Sequence, residues 1–442
     1  MPPIQARSWG VLAALLLLLA TLSASGQPPS SERVASPDAL ASPALGAAFE
    51  RFKAMDYEGT LKALKPIVAE NAELPPAPVI LAQWFAQAGE PGQMRVALER
   101  AVAEEPNDPE AYVLLSDVAL REGRLAEGEL LSYRAYNLLE PFQRSQRRKN
   151  LLVPRVLSNL AAVCEAREDW PGARKYLQAW LAMEPEGVAA MQRLGQVLFR
   201  LGQPGEALAR FRTAAKLDPN VLAPEMIMAR LYQQADQPAK AAESLAAALR
   251  AGPNEIKTRL AAAQLDIEAG QYAEAQKQAD AALKLNRDSL EGKHLKALSL
   301  LFQRDYAGAQ EVADAAVKQA PASFTVSNNL AVILAEQNDQ AKRLRALEYA
   351  QANLRQYPRQ AEVYSTLGWV LFRLGRIDEA ERALRMATSN GSISPDTGYF
   401  LARIAADQGR VAEARQLLQS ALAGKAPFLL RKEAEELLEK VK

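Results

Sequence analysis

The chain has 442 residues, with 53 Lys and Arg against 52 Asp and Glu, a net charge of +1, one His and one Cys. A balance this even offers no global field to draw in nucleic acid or an anionic membrane, and a lone thiol, Cys164, excludes an internal disulfide. Strand-like runs of Val, Ile and Thr are missing while Ala, Leu, Glu, Arg and Gln dominate, so the expected fold class is all-α.

Residues 1–26 carry Arg7, the apolar run Val11 to Ala20 and then the small residues Ser23, Ala24, Ser25 and Gly26. This is the order of a secretory signal peptide. The run is short for a bilayer span and no Cys follows it to accept a lipid, so the expected product is periplasmic or secreted and not anchored. Residues 27–40, rich in Pro, Ser and Ala with no apolar period, read as a flexible leader.

From residue 41 to 428 the sequence repeats. Ala173, Ala207, Ala241, Ala275 and Ala309 recur every 34 residues, as do Ala380 and Ala414, with Thr60, Met94 and Gly128 in the same phase upstream. Pro106, Pro185, Pro219, Pro253, Pro321 and Pro358 appear in phase at the close of six repeats, because proline cannot continue a helix. The spacing predicts about eleven repeats, beginning near Ala41, Pro75, Pro109, Pro154, Val188, Leu222, Ile256, Leu290, Phe324, Ala361 and Pro395. Residues 429–442, LLRKEAEELLEKVK, are expected to form a helix that caps the last apolar face.

Two stretches break the period. About eleven extra residues fall between Gly128 and Ala173, at Phe142 to Val153, and three more precede Ala346, where they are expected to lengthen the turn NDQAKRLRA. The first insertion places Arg144, Arg147, Arg148 and Lys149 together. A run of this kind reads either as a solvated face on an extended helix or as a docking site for an acidic partner, with Arg147 and Arg148 at its centre.

The clearest unit is AEVYSTLGWVLFRLGRIDEAERALRMATSNGSIS, from Ala361, echoed by MQRLGQVLFRLGQPGEALARF from Met191. Leu367, Gly368, Leu371, Ala380, Leu384 and Ala387 fall three or four apart in two runs broken at Gly375, which predicts two amphipathic helices joined by a tight turn. Gly368 and Ala380 permit close approach of two backbones, and Gly375 can adopt the positive φ that ends the first helix. This pattern resembles the tetratricopeptide repeat, a 34-residue helix-turn-helix unit. The resemblance implies a right-handed superhelical solenoid of helix-turn-helix repeats, with the first helices lining a groove.

In that family, repeat positions 2, 5, 9, 12 and 13 commonly face the groove. Carried over, they give Arg230, Gln233 and Gln234, then His294, Leu301 and Phe302, then Asn328 and Glu336. Trp369, Phe372, Arg373, Tyr399 and Arg403 follow near the C-terminal end, where aromatic and Arg side chains would anchor a bound peptide. An equal alternative has Trp369 and Phe372 packing between repeats, since Phe199 and Phe372 share one repeat position. The family's carboxylate clamp needs Lys, Asn and Arg in three consecutive repeats, and its asparagine ladder needs Asn at position 6 throughout. Only Asn159 and Asn329 fit the second pattern, so neither groove chemistry is expected.

Little else could carry chemistry. His294 lies on a repeat helix with no nucleophile pattern around it, and Cys164 takes a position that is Leu in other repeats. Gly-rich stretches such as LGQPGEA lack the strand and the Gly-Lys-Ser/Thr ending of a phosphate loop. The expectation is a non-catalytic scaffold or adaptor of the cell envelope, binding protein partners, with no cofactor, no metal and no nucleic acid. The alternative is an accessory subunit of exopolysaccharide export or of outer-membrane or secretion assembly that contacts glycan through Trp369 and Tyr399.

Overall fold

The computed structural model describes residues 43–389, 391, 393–424 and 428–441. Among them are 23 helices and no strand. The segments read as signal peptide and leader, residues 1–26 and 27–40, lie outside the described residues.

Two compact units divide the chain at Pro224. The first holds α1 (Pro43–Lys53), α2 (Tyr57–Glu70), α3 (Ala77–Gln87), α4 (Pro91–Glu104) and α5 (Pro109–Arg121). It continues with α6 (Leu125–Leu139), α7 (Gln146–Ala166), α8 (Trp170–Met183), α9 (Val188–Arg200) and α10 (Pro204–Leu217). The second unit holds α11 (Pro224–Gln234), α12 (Pro238–Ala251), α13 (Ile256–Glu268), α14 (Tyr272–Leu285), α15 (Leu290–Phe302), α16 (Tyr306–Gln319) and α17 (Phe324–Glu336). It ends with α18 (Gln340–Gln356), α19 (Ala361–Arg373), α20 (Ile377–Ala387), α21 (Pro395–Asp407), α22 (Val411–Leu422) and α23 (Arg431–Lys440).

Odd-numbered helices up to α21 are the first of a pair, and their even-numbered successors the second. Pairing follows from the small residues: a Cβ added at Gly368 would lie 2.5 Å from Leu384 Cγ, and one at Gly195 would lie 2.5 Å from Phe211 Cε1. At these two crossings no Cβ fits without a shift, and Ala207, Ala309, Ala380 and Ala414 are buried at the equivalent place on second helices. In every described pair except α17 and α18 the turn between them carries a left-handed residue, as at Gly375 with φ 77°. Met55, Glu168, Asp236 and Arg304 take the same conformation without being glycine.

The first unit starts on an aromatic cluster in which Phe49 meets Trp84 at 5.0 Å and Tyr57 meets Phe85 at 4.8 Å between ring centroids. This cluster packs the first pair against α3 of the second.

Both insertions enter helices. The turn before α18 keeps only three residues, Gln337 to Asp339, and α18 has 17 residues against 14 in α16, so the expectation of a longer turn is corrected. Asp339 accepts from Lys342 N at 3.0 Å and caps the lengthened helix. In the same way α7 has 21 residues against 13 in α9, begins at Ser145 as its N-cap, and encloses Pro154.

The extended start of α7 corrects the reading of its charges. Arg147 is exposed, as is Arg144, but Arg148 is buried. Its Nη2 donates to Asp108 Oδ1 at 2.8 Å and Glu110 Oε2 at 2.7 Å, and Nε donates to Glu110 Oε2 at 3.0 Å. Burial pulls the guanidinium pKa down, but Glu110 and Asp108 outweigh it and keep Arg148 charged. A side chain so enclosed cannot meet an acidic partner: its acids come from α5, some 40 residues upstream. Arg144 reaches back further, to Val68 O at 3.1 Å, and Ser145 Oγ donates to Glu73 Oε2 at 2.8 Å.

Candidate partner-binding face

In the second unit the first helices α15, α17, α19 and α21 present residues of repeat positions 2, 5, 6, 9 and 12 to a common face. A cavity of about 30 Å³, room for a water or two, lies there. Leu298, Leu301, Val332, Trp369, Phe400 and Leu429 form its walls, and Asn329, Ser365, Thr366 and Asp396 its polar floor.

Trp369 is the centre of the aromatic wall. Its ring stacks on Phe400 with centroids 4.1 Å apart and on Phe372 at 5.3 Å, and Tyr399 approaches at 6.3 Å. The indole Nε1 donates to Glu336 Oε1 at 2.5 Å. Arg373 lies over the Trp369 ring at 5.6 Å and donates to Ala335 O and Glu336 O. Burial raises the Glu336 carboxyl pKa against the pull of Arg373, and burial pushes the Tyr399 hydroxyl up to about 12.

The predicted residues Trp369, Phe372, Arg373 and Tyr399 therefore do come together. As open anchors, however, Trp369 and Tyr399 are corrected: both are buried, because the neighbouring first helix packs against each ring. Phe372, Arg373 and Arg403 are half-buried, and Arg403 pairs with Asp407 at 3.2 Å within its own helix. Phe302 is half-buried and stacks on Tyr272 at 4.5 Å.

His294 and Asn328 are also corrected, since both are buried. His294 Nδ1 accepts from Asn329 Nδ2 at 2.6 Å, and burial drops its pKa to about 4, so the ring is neutral. Its Nε2 has no partner, nor do Asn329 Oδ1, Thr366 Oγ1 or the two amide atoms of Asn328. Arg230, half-buried, and Gln234, exposed, sit on α11 and do not line the cavity.

Sequence reasoning missed Ser365, Thr366, Phe400 and Leu429. Position 6 of the repeat supplies Asn329, Thr366 and Phe400, and was set aside because only asparagine was sought there. Position 9, which was counted, also gives Leu298 and Val332, whose apolar character drew no notice.

The family model for the tetratricopeptide repeat matches residues 83–137, 165–221, 294–342, 339–396 and 366–428, more than half of the chain. The chain belongs to the tetratricopeptide-repeat family. Solved structures similar to this tetratricopeptide-repeat chain include a tetratricopeptide repeat protein from Parabacteroides merdae ATCC 43184, at 15% identity and TM-score 0.41, over 66% of this chain and 99% of that one. Yeast Tom70 is similar at 15% identity and TM-score 0.41, over 92% and 96%. A thermophilic repeat protein of Thermus thermophilus is similar at 22% identity and TM-score 0.37, over 42% and 98%. No curated protein sequence matches the chain.

Tetratricopeptide repeats are in general interaction scaffolds and not catalysts. Among the described residues no cluster of His, Cys, Asp and Glu has the arrangement to hold a metal ion. Cys164 is buried, and burial together with Asp169 pushes its thiol up to about 11, far from a nucleophile's range. No helix among the described residues is long and apolar enough to cross a membrane.

Proposed function

We propose that the protein is a non-catalytic scaffold of the cell envelope that binds a segment of a partner protein on the first-helix face of its repeats. The observation that carries this reading is the face around Trp369: apolar walls from four successive repeats enclose a polar floor on which Asn329 Oδ1 and Thr366 Oγ1 lack partners. Atoms of that kind match the amides and carbonyls of a bound chain. Export rests on the order of charged, apolar and small residues in 1–26. Cell fractionation decides it, with recovery in the periplasm or medium expected and retention in the cytoplasm counting against it.

Binding is tested by in vivo photo-crosslinking from position 332 or 366, in full-length protein. A discrete crosslinked band, lost when Val332 is changed to Arg, is the expected result. Equal crosslinking from an exposed position such as Glu186 would remove the reading. The glycan alternative draws no support from Trp369 or Tyr399, whose rings are enclosed by neighbouring side chains.

A further inference from the structure

The face just described is already occupied. Leu429 lines its cavity, and Phe428, Leu430, Ala434, Leu437 and Val441 are buried in one core with Leu301, Trp369 and Phe400. Glu433 on α23 forms an ion pair with Arg304, 129 residues upstream in the turn after α15. Arg415 on α22 donates to Val441 O at 2.7 and 2.9 Å. A helix that served only to cap the last pair would rest on α22; this segment also reaches three pairs back.

Its fit is incomplete. Asn329 Oδ1 and Thr366 Oγ1, both lining the cavity, stay buried without partners, and the side chain of Leu429 beside them has neither donor nor acceptor to give. Buried polar atoms left unmatched oppose the occupied state. The ion pair adds little to hold it, because the side chains of Arg304 and Glu433 are 53% and 28% exposed. What remains is apolar burial, which any segment with similarly spaced leucines would replace.

We propose that Phe428–Val441 is an intramolecular placeholder, and that the partner presents a leucine-rich amphipathic segment whose apolar side chain takes the Leu429 cavity and whose carboxylate pairs with Arg304. This deepens the scaffold reading above and rests on it. The commitment to an acidic, leucine-bearing occupant comes from the tail itself, which shows what the face accepts.

The test uses full-length chains and a fluorescent peptide of residues 428–441, FLLRKEAEELLEKV. Wild type is expected to bind it about tenfold more weakly than Glu433→Arg combined with Leu429→Asp, and about threefold more weakly than Glu433→Arg alone, because only in the variants is the chain's own segment loosened. Hydrogen exchange of residues 428–441 reports that loosening independently. Arg304→Glu should loosen the segment too, yet capture only a peptide whose Glu at the place of Glu433 is exchanged for Arg. The proposal is overturned if exchange rises in the variants while peptide affinity stays at the wild-type value. It is equally overturned if exchange stays slow in both variants, since the segment is then a fixed part of the array. Peptide gain without any crosslinked envelope protein would sink the scaffold reading and leave the placeholder standing.

Discussion

The insertion around Arg148 and the tail around Leu429 both run back over repeats far upstream, and they are held by opposite means. The insertion is fixed by a buried guanidinium between two buried carboxylates, with further bonds to Val68 and Glu73. The tail is fixed by leucines and one half-exposed ion pair. Enclosed charge is costly to uncouple and geometrically demanding, whereas apolar contact is tolerant of substitutes. The first therefore behaves as a permanent staple, and the second as an exchangeable contact.

The sharpest way to break that contrast is Arg148→Met. It leaves Asp108 and Glu110 buried and uncompensated, and should cost about 3–5 kcal/mol in chemical denaturation. Adding Asp108→Asn and Glu110→Gln should recover much of the loss. If Arg148→Met costs under ~1 kcal/mol, the staple is not electrostatic.

A buried acid without such a partner should behave in the reverse sense. Asp266 sits at the repeat position that is Leu in Leu300, Leu334 and Leu371, and burial pushes its carboxyl up to about 7. With a raised native pKa, the folded state holds the proton between about pH 4 and 7 while the unfolded chain has lost it, so stability falls as pH rises through that window. Asp266→Leu should therefore gain about 3 kcal/mol over wild type at pH 8 and much less at pH 4, read from paired denaturation curves.

His294 gives the mirror case. Its native pKa lies near 4, below the unfolded value, so the unfolded chain takes up a proton first and stability is lost as pH falls below about 6.5. Relative to wild type, His294→Gln should lose less on acidification, by about 2 kcal/mol at pH 5. A constant difference from pH 7 to 5 would contradict a buried neutral ring. The smallest effects belong to the exposed charges. Arg147→Ala should stay within ~0.5 kcal/mol, and Glu433→Arg should cost under ~1 kcal/mol although it frees the tail.

What could be read from the chain tracks what is local. Gly375, Ala380 and the 34-residue recurrence of alanines specify crossings and turns within one repeat, and the helix pairs follow from them. The role of Arg148 could not be read, because its acids lie at the N-cap and first turn of α5 and a run of basic residues looks alike whether it faces water or Glu110. Likewise three inserted residues before Ala346 are as compatible with a turn as with a helix. Asp339 decided it by capping the helix early. The candidate face was half legible: repeat positions named Trp369 and Phe372, but Leu429 comes from outside the repeat and follows no register.

One turn carries a consequence of its own. Arg304 holds φ 64°, a conformation that costs a residue with a Cβ about 1–2 kcal/mol and that glycine adopts freely in the turns at Gly375 and Gly409. At Met55, exchange for glycine should relax the bend and raise the melting temperature. At Arg304 the same exchange would relax the bend and remove the ion pair to Glu433 together, so a screen for thermal tolerance would select, unasked, a variant whose C-terminal segment is held by apolar contact alone.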